Sequence, residues 1–351
     1  MKFSSVIHTF KEARYLRSLI LRYGDSLARG NYLLFDNFRS LALDSKKSTA
    51  EKFFSNKTTT PMKARLIRLL NKICFFKNTN KNTSAEYEAL YSANNFDAVR
   101  EVKLFSFKRK KILIICTDKK EAEAQLSLYN ALSLAYPLPQ VEKKEIYQNS
   151  LEISMVDILP VPDEGQAVEA IVGATMRAVP DGKPAASRTV REWISYCYEN
   201  EDMNRLLQEL TQDIDTDLLD APLPFSLQHG DLSRENLLYG TVDGKTDFWW
   251  IDWEHMEERP FFYDLFFYIV HSAMHFHAPT LSCYQRGEWD ALLAEAFSHF
   301  HLSFSPNHKK DYLLIFMIGF LKERVCAFGR IEALKSYVAF IKKHFGEENE
   351  A

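Results

Sequence analysis

Leu227-Gln228-His229-Gly230-Asp231-Leu232-Ser233-Arg234-Glu235-Asn236, followed by Phe248-Trp249-Trp250-Ile251-Asp252-Trp253-Glu254, decides how this chain is read. The first stretch sets a carboxylate, Asp231, five positions ahead of a carboxamide, Asn236. The second ends an aromatic, strand-like run on another carboxylate, Asp252. Moving a phosphoryl group asks little covalent work of a protein: a base takes the proton of the attacking hydroxyl, and magnesium neutralises the phosphates. An aspartate and an asparagine at this offset in one loop are the residue types that do both. Magnesium takes oxygen ligands, usually one or two carboxylates plus the substrate's phosphates, so a second acidic residue must arrive from elsewhere in the chain. Asp252 is placed for that. A lone His-Gly-Asp is equally a turn or a helix cap, and it is the joint spacing of Asn236 and Asp252 that favours chemistry.

His229 to Asn236, then Ile251-Asp252-Trp253-Glu254, then Pro260-Phe261-Phe262-Tyr263-Asp264-Leu265, resemble the aminoglycoside phosphotransferase and choline kinase family. Three segments in the family's order and spacing carry the resemblance, which runs from about Tyr87 to Ala339. It implies an α+β, two-lobed, protein-kinase-like fold, with a β-rich N-lobe over residues 83–158 and a helical C-lobe over 159–351. It also implies transfer of the terminal phosphate of ATP, or another nucleoside triphosphate, to a small-molecule hydroxyl in the presence of Mg2+. In that scheme Asp231 is the base, and Asn236 and Asp252 are the metal ligands. His229 and Asp264 support the loop, the histidine holding its shape and the aspartate capping its backbone amides. Glu254 resembles an additional carboxylate or a partner of the ligands. Asp252-Trp253-Glu254 with Phe262-Tyr263-Asp264-Leu265-Phe266-Phe267 is similar to members from bacterial surface-polysaccharide assembly, which implies a sugar or envelope glycoconjugate as acceptor. Two alternatives stay open: a choline or ethanolamine kinase, for which aromatic residues would form a cage, and a pseudokinase serving as a binding module.

The N-lobe departs from the family's pattern. Aligning Leu113-Ile114-Ile115-Cys116-Thr117-Asp118 on the family's third strand sets Ile115 where a phosphate-binding lysine stands, with Glu123 on the following helix as the implied partner. Lys103, Lys110, Lys111 and Lys119 are the candidates for a replacement cation. No glycine occurs between Gly30 and Gly165, so a glycine-rich phosphate cradle is excluded. Ser92-Ala93-Asn94-Asn95 is the polar turn available ahead of the first strands. Met155-Val156-Asp157-Ile158-Leu159 resembles the family's linker to adenine, which implies Met155, Asp157 and Leu159 in cofactor binding.

The 351 residues, 46% hydrophobic and 13% aromatic, suffice for one large or two medium domains. Five scattered cysteines without CxxC pairing point to neither a disulfide framework nor a zinc ribbon, and suit a reducing cytoplasm. The longest apolar run, Tyr312 to Leu321, is too short to cross a bilayer. Lys11, Glu12, Arg14 and Arg17 interrupt any signal-peptide core. His271, His275 and His277 have no acidic residue among them and read as packing and surface histidines.

Charge is distributed unevenly. Residues 1–82 carry 17 Lys and Arg against 5 Asp and Glu, a balance of +12, so a net charge of −3 leaves −15 for the rest. An acidic body speaks against nucleic acid at the site, while a basic head suits peripheral contact with an anionic membrane. That head reads as a helical extension: helices over Val6–Tyr23, Tyr32–Ala42 and Pro61–Phe76, joined by polar linkers at Ser45–Thr60 and Lys77–Ser84. Met62, Leu66, Leu69, Leu70 and Ile73 share one face of the third helix, which favours docking on a core over lying on a membrane. Further on, strands are expected at Val99–Phe107, Ile112–Cys116, Val141–Ile146 and Leu151–Ile158, with a helix over Asp118–Leu132 capped by Asp118. Helices over Glu169–Met176, Thr189–Tyr198, Asp202–Leu210, Gly287–Phe300 and His308–His344 complete the chain.

Overall fold

The computed structural model describes residues 3–345 apart from 36, 38, 55–60, 74–75, 81–84, 93–100, 145–146, 148, 184–185, 195–200, 254 and 329–330. Two compact units emerge, the first formed by Met1–Ser133, Leu138–Leu159 and Gly240–Asp247, the second by Leu134–Pro137, Pro160–Tyr239 and Phe248–Ala351.

In the first unit, α1 (Phe3–Arg22) is followed by β1 (Gly30–Leu34), β2 (Ser40–Leu43), α2 (Lys47–Phe54), α3 (Pro61–Ile73) and the short β3 (Lys77–Asn78). Then come β4 (Ala89–Ser92), β5 (Glu101–Ser106), β6 (Lys111–Cys116), α4 (Lys119–Leu132), β7 (Val141–Lys144), β8 (Ser150–Ser154) and β9 (Asp157–Ile158). Eight strands form one antiparallel sheet in the order β3-β1-β2-β4-β5-β6-β8-β7. The expected succession of two strands, a helix and two strands is β5, β6, α4, β7 and β8. Asp118 caps α4 as expected, accepting from the Glu121 amide at 2.9 Å, while Glu121 returns a carboxylate to the Thr117 amide at 2.8 Å.

The expected helix over Tyr32–Ala42 is corrected: that segment forms β1 and β2, which pair through Tyr32 opposite Leu43 and Leu34 opposite Leu41. The expected linker Ser45–Thr60 contains α2, and β3 lies in the second expected linker. Because side chains alternate along a strand, β6 buries apolar residues on both sides of the sheet. Leu113 and Ile115 join Val102 and Leu104 against Leu16, Leu19 and Ile20 of α1. Ile114 and Cys116 join Leu151 and Ile153 against Ala122, Leu126 and Tyr129 of α4. α3 docks as expected through the buried Leu70 and the partly buried Leu66, although Leu69 and Ile73 remain exposed. Lys11, Arg14, Arg17 and Arg22 take the outer side of α1, away from its buried Ala13 and Leu16. On the α4 side, Phe53 and Phe54 of α2 cover a platform of Ala89, Phe105, Ile112 and Met155.

The second unit holds α5 (Glu164–Ala178), β10 (Ala186–Thr189), α6 (Val190–Ile194), α7 (Glu201–Gln212), α8 (Thr216–Asp220) and β11 (Pro222–Gln228). After it the chain forms β12 (Leu237–Val242), β13 (Lys245–Trp250), whose joining tip belongs to the first unit, and β14 (Glu257–Pro260). The remainder is helical: α9 (Tyr263–Phe276), α10 (Thr280–Arg286), α11 (Asp290–His299), α12 (Lys309–Phe328) and α13 (Ile331–Phe345). The single helix expected over His308–His344 is thus two. α9 is buried along most of its length, because Phe262, Phe266 and Phe267 interlock with Phe297, Tyr312 and Phe316. The apolar run Tyr312–Leu321 is core-facing helix, and among the described residues no helix is long and apolar enough to cross a membrane.

Candidate active site

All five residues assigned to the loop chemistry lie in the second unit: His229, Asp231 and Asn236 in the turn after β11, Asp252 in the turn after β13, and Asp264 in α9. β11 ends at Gln228, which stands opposite Glu257 of the antiparallel β14. The turn 229–236 follows β11, and residues 251–253 begin the turn that follows β13. The Ile251 amide donates to the Asn236 carbonyl at 3.0 Å, so the two turns run side by side. His229 ties them: its Nε2 lies 2.8 Å from the Ile251 carbonyl oxygen. A carbonyl only accepts, so Nε2 carries the proton and Nδ1 is left to accept from the Asp231 amide, 3.3 Å away.

Asp264, in the first turn of α9, holds the same loop from the other side. Its Oδ2 accepts from the His229 amide at 2.6 Å and its Oδ1 from the Gly230 amide at 2.9 Å. Its own amide donates to Gln228 Oε1 at 3.1 Å, and Gln228 Nε2 donates to Ser226 at 2.9 Å. Gln228, His229 and Asp264 are buried, which makes each of these bonds hard to replace. Burial pushes the Asp264 carboxyl above the ordinary carboxylate range, against the pull of His229, the two amides and Arg259. Gly230 has φ 80°, and a side chain there would collide with the His255 carbonyl and the Arg259 guanidinium. Only glycine fits this turn.

The supports are buried, whereas Asp231, Asn236 and Asp252 are partly open to solvent. Asn236 Nδ2 donates to the Asp231 carbonyl oxygen at 2.8 Å and approaches Asp231 Oδ2 at 3.3 Å. Its amide nitrogen is committed to Asp231, and its oxygen therefore points elsewhere. Asp252 has φ 66°, a left-handed backbone that non-glycine residues seldom adopt and that functional turns tolerate. Among the described residues no group of three or more His, Cys, Asp and Glu could enclose a metal. An amide oxygen and one or two carboxylates are instead the sparse, hard donor set that suits magnesium completed by phosphate oxygens. Of the histidines of α9, His271 stacks on Phe267, and the exposed His275 shares a 2.6 Å hydrogen bond with the Tyr337 hydroxyl. Burial pushes His275 below its ordinary value, although Glu235 pulls the other way.

Gln228, Trp253, Arg259 and Arg234 have site roles that the sequence reading did not assign. The Trp253 ring packs 4.7 Å from His229 and 4.8 Å from Tyr136, whose hydroxyl donates to the Leu227 carbonyl. Arg259 donates to the His255 carbonyl at 2.8 Å and so braces the second turn. Arg234 forms an ion pair with Glu164 of α5, which also accepts from the Tyr268 hydroxyl. The one available signal was adjacency, since Gln228, Arg234 and Trp253 all stand inside the quoted stretches.

The residues assigned to the nucleotide belong to the first unit and have other partners. Glu123 pairs with Lys119 along the exposed side of α4 at 3.6 Å, and Ile115 lies on the α1 side of the sheet. Met155 is buried in the cluster that includes Phe54, and its amide donates to the Lys110 carbonyl at 2.8 Å. Asp157 binds Lys110 at 2.6 Å and pairs with Thr241 in β12, while Leu159 is exposed. Glu254, and the turn Ser92-Ala93-Asn94-Asn95 from residue 93 on, lie outside the described residues.

Replacing Asp264 by Asn leaves one acceptor for two buried amides and turns an NH2 group toward one of them. The expected result is a lower midpoint in urea, corresponding to about 1–3 kcal/mol for the orphaned donor. An unchanged midpoint would show that Asp264 does not hold the loop.

No family model matches the chain, and no curated protein matches it. Solved structures of similar chain course include choline kinase LicA from Streptococcus pneumoniae, 14% identical, covering 72% of this chain and 93% of that one with a TM-score of 0.42. Macrolide 2'-phosphotransferase MphH from Brachybacterium faecium is 13% identical and covers 75% and 93%, with a TM-score of 0.43. A thermostable mutant of aminoglycoside phosphotransferase APH(4)-Ia, in a ternary complex with AMP-PNP and hygromycin B, is 15% identical and covers 76% and 97%, with a TM-score of 0.46.

Proposed function

We propose that this chain is an ATP- and magnesium-dependent phosphotransferase acting on a hydroxyl of a small molecule, with a sugar or envelope glycoconjugate as acceptor. The observation that carries the reading is the lacing of the two turns. His229 joins the Asp231 turn to the Asp252 turn, and Asp264 caps the first of them through two amides. So much buried hydrogen bonding around three partly open oxygen-bearing side chains suits a site whose work is positioning. Asp231 takes the proton of the acceptor hydroxyl, and Asn236 Nδ2 orients its carboxylate. Asn236 Oδ1 and the Asp252 carboxylate would hold magnesium, which when bound neutralises charge on the phosphates. The buried supports keep Asp231 in place while substrates exchange.

One observation favours a non-catalytic binding module instead. Phe53 and Phe54 cover the apolar platform beside Met155, the residue assigned to adenine. The two readings part in a transfer assay. γ-Labelled ATP is incubated with the full chain and with hydroxylated sugars, lipopolysaccharide core fragments and choline. Transfer that needs magnesium is expected to a sugar-bearing acceptor. Label on choline would move the acceptor class, and no transfer to any acceptor together with no nucleotide binding would leave the binding module.

A further inference from the structure

The lysine implied by the resemblance should sit on the strand before α4 and pair with a carboxylate near that helix, so it belongs on the α4 side of the sheet. On β6 that side carries Ile112, Ile114 and Cys116, none of them a cation. The pairing of β5 with β6 supplies one from the next strand. Lys103 stands directly opposite Ile114, and Glu101 opposite Cys116, so both point to the α4 side. Lys103 Nζ lies 2.9 Å from Glu101 Oε1, with side chains 22% and 7% exposed. Oε1 has no aligned hydrogen-bond donor despite that distance, so the contact is an ion pair. Glu101 Oε2 accepts from Gln125 Nε2 of α4 at 3.2 Å, which ties the carboxylate to the helix.

The other candidate lysines are placed differently. Lys110 is largely exposed and paired with Asp157, and Lys119 is largely exposed and paired with Glu123. Lys111 shares the sheet face of Leu113 and Ile115, opposite to α4, and bonds Ser154 at 2.8 Å.

We propose that Lys103 is the phosphate-binding cation of this chain, supplied from β5 in place of β6, with Glu101 and Gln125 as the residues that position it. The proposal rests on the phosphotransferase reading above. A half-buried ammonium steered by a carboxylate within the sheet can contact nucleotide phosphate oxygens as a point charge.

The test uses the full chain, with Mg·AMP-PNP and adenosine titrated by calorimetry and turnover measured on the acceptor found in the transfer assay. Lys103→Met is expected to weaken Mg·AMP-PNP by about tenfold or more while leaving adenosine unchanged. Lys103→Arg should restore part of the affinity, and Lys119→Met should behave as wild type. A purely structural role would weaken both ligands together. Because Lys103→Met strands Glu101, the pair Lys103→Met with Glu101→Gln is measured too, and it must show the same selective loss. Mg·AMP-PNP affinity and turnover within twofold of wild type in the folded pair variant would overturn the Lys103 assignment alone, provided that Asp231→Asn still lowers turnover by about a hundredfold or more. Wild-type chain that neither binds Mg·AMP-PNP nor turns over would overturn both.

Discussion

Asp231→Asn is expected to lower turnover by about a hundredfold or more, the usual worth of a positioned base, while leaving the fold and the affinity for Mg·AMP-PNP nearly unchanged. The substitution is close to isosteric, and an asparagine oxygen can still accept from Asn236 Nδ2, so the loop keeps its internal bond. What disappears is the carboxylate that takes the acceptor's proton. A loss of this size with unchanged nucleotide affinity separates Asp231 from Asp264, whose substitution should register first in stability. Turnover within a few-fold of wild type would remove Asp231 from the chemistry, and a large fall in Tm would reassign it to the framework.

A chain starting at Ser84 is expected to be insoluble or to lose cooperative unfolding of the first unit. The deletion removes α1 and the strands β1, β2 and β3, leaving β4 as a bare edge. It also uncovers Tyr87, Leu90, Val102, Leu104, Leu113 and Ile115, which are buried together with residues of α1, β1, β2 and α3. Burial of each such side chain is worth about 1.5–3 kcal/mol, an upper figure because unfolded chains bury some of it already. Six of them together match the 5–15 kcal/mol by which domains are typically stable, before the lost strand pairing is considered. A soluble truncated chain with a sharp thermal transition would contradict this, and would return the basic segment to the status of a separable extension.

The two turns were legible because residue types at fixed offsets mark them: His229, Asp231, Asn236 and Asp252 stand on them and, with Asp264, lie in one unit. The first unit was harder, for two physical reasons. Short apolar runs such as Tyr32-Leu33-Leu34-Phe35 carry no decisive period, so helix and strand cannot be told apart there, and β1 and β2 pair where the sequence predicts one helix. The run Ile112 to Cys116 is apolar on both sides, so nothing in it says which residues face α4. A one-residue shift in that choice moves a side chain to the other face of the sheet: Ile115 lies on the α1 side, and Ile114, opposite Lys103, on the α4 side. The same limit applies to α4. Its capping by Asp118 is readable, but its rotation is not: Gln125 reaches the sheet, while Glu123 lies on the exposed side. In α2, the polar stretch around Ser48 and Thr49 concealed a helix whose only strong apolar signals are Ala50, Phe53 and Phe54.

In the proposed site Asp252 and Asn236 tie a metal to nucleotide phosphates beside Asp231. Titration calorimetry of AMP-PNP into the wild-type chain and into Asp252→Ala, each with magnesium and with EDTA, tests it most directly. The expected result is a wild-type affinity that falls at least about tenfold when magnesium is withdrawn, and an Asp252→Ala affinity that is weak and indifferent to the metal. Equal magnesium-assisted affinity in both chains, or no magnesium effect in the wild type, would contradict it.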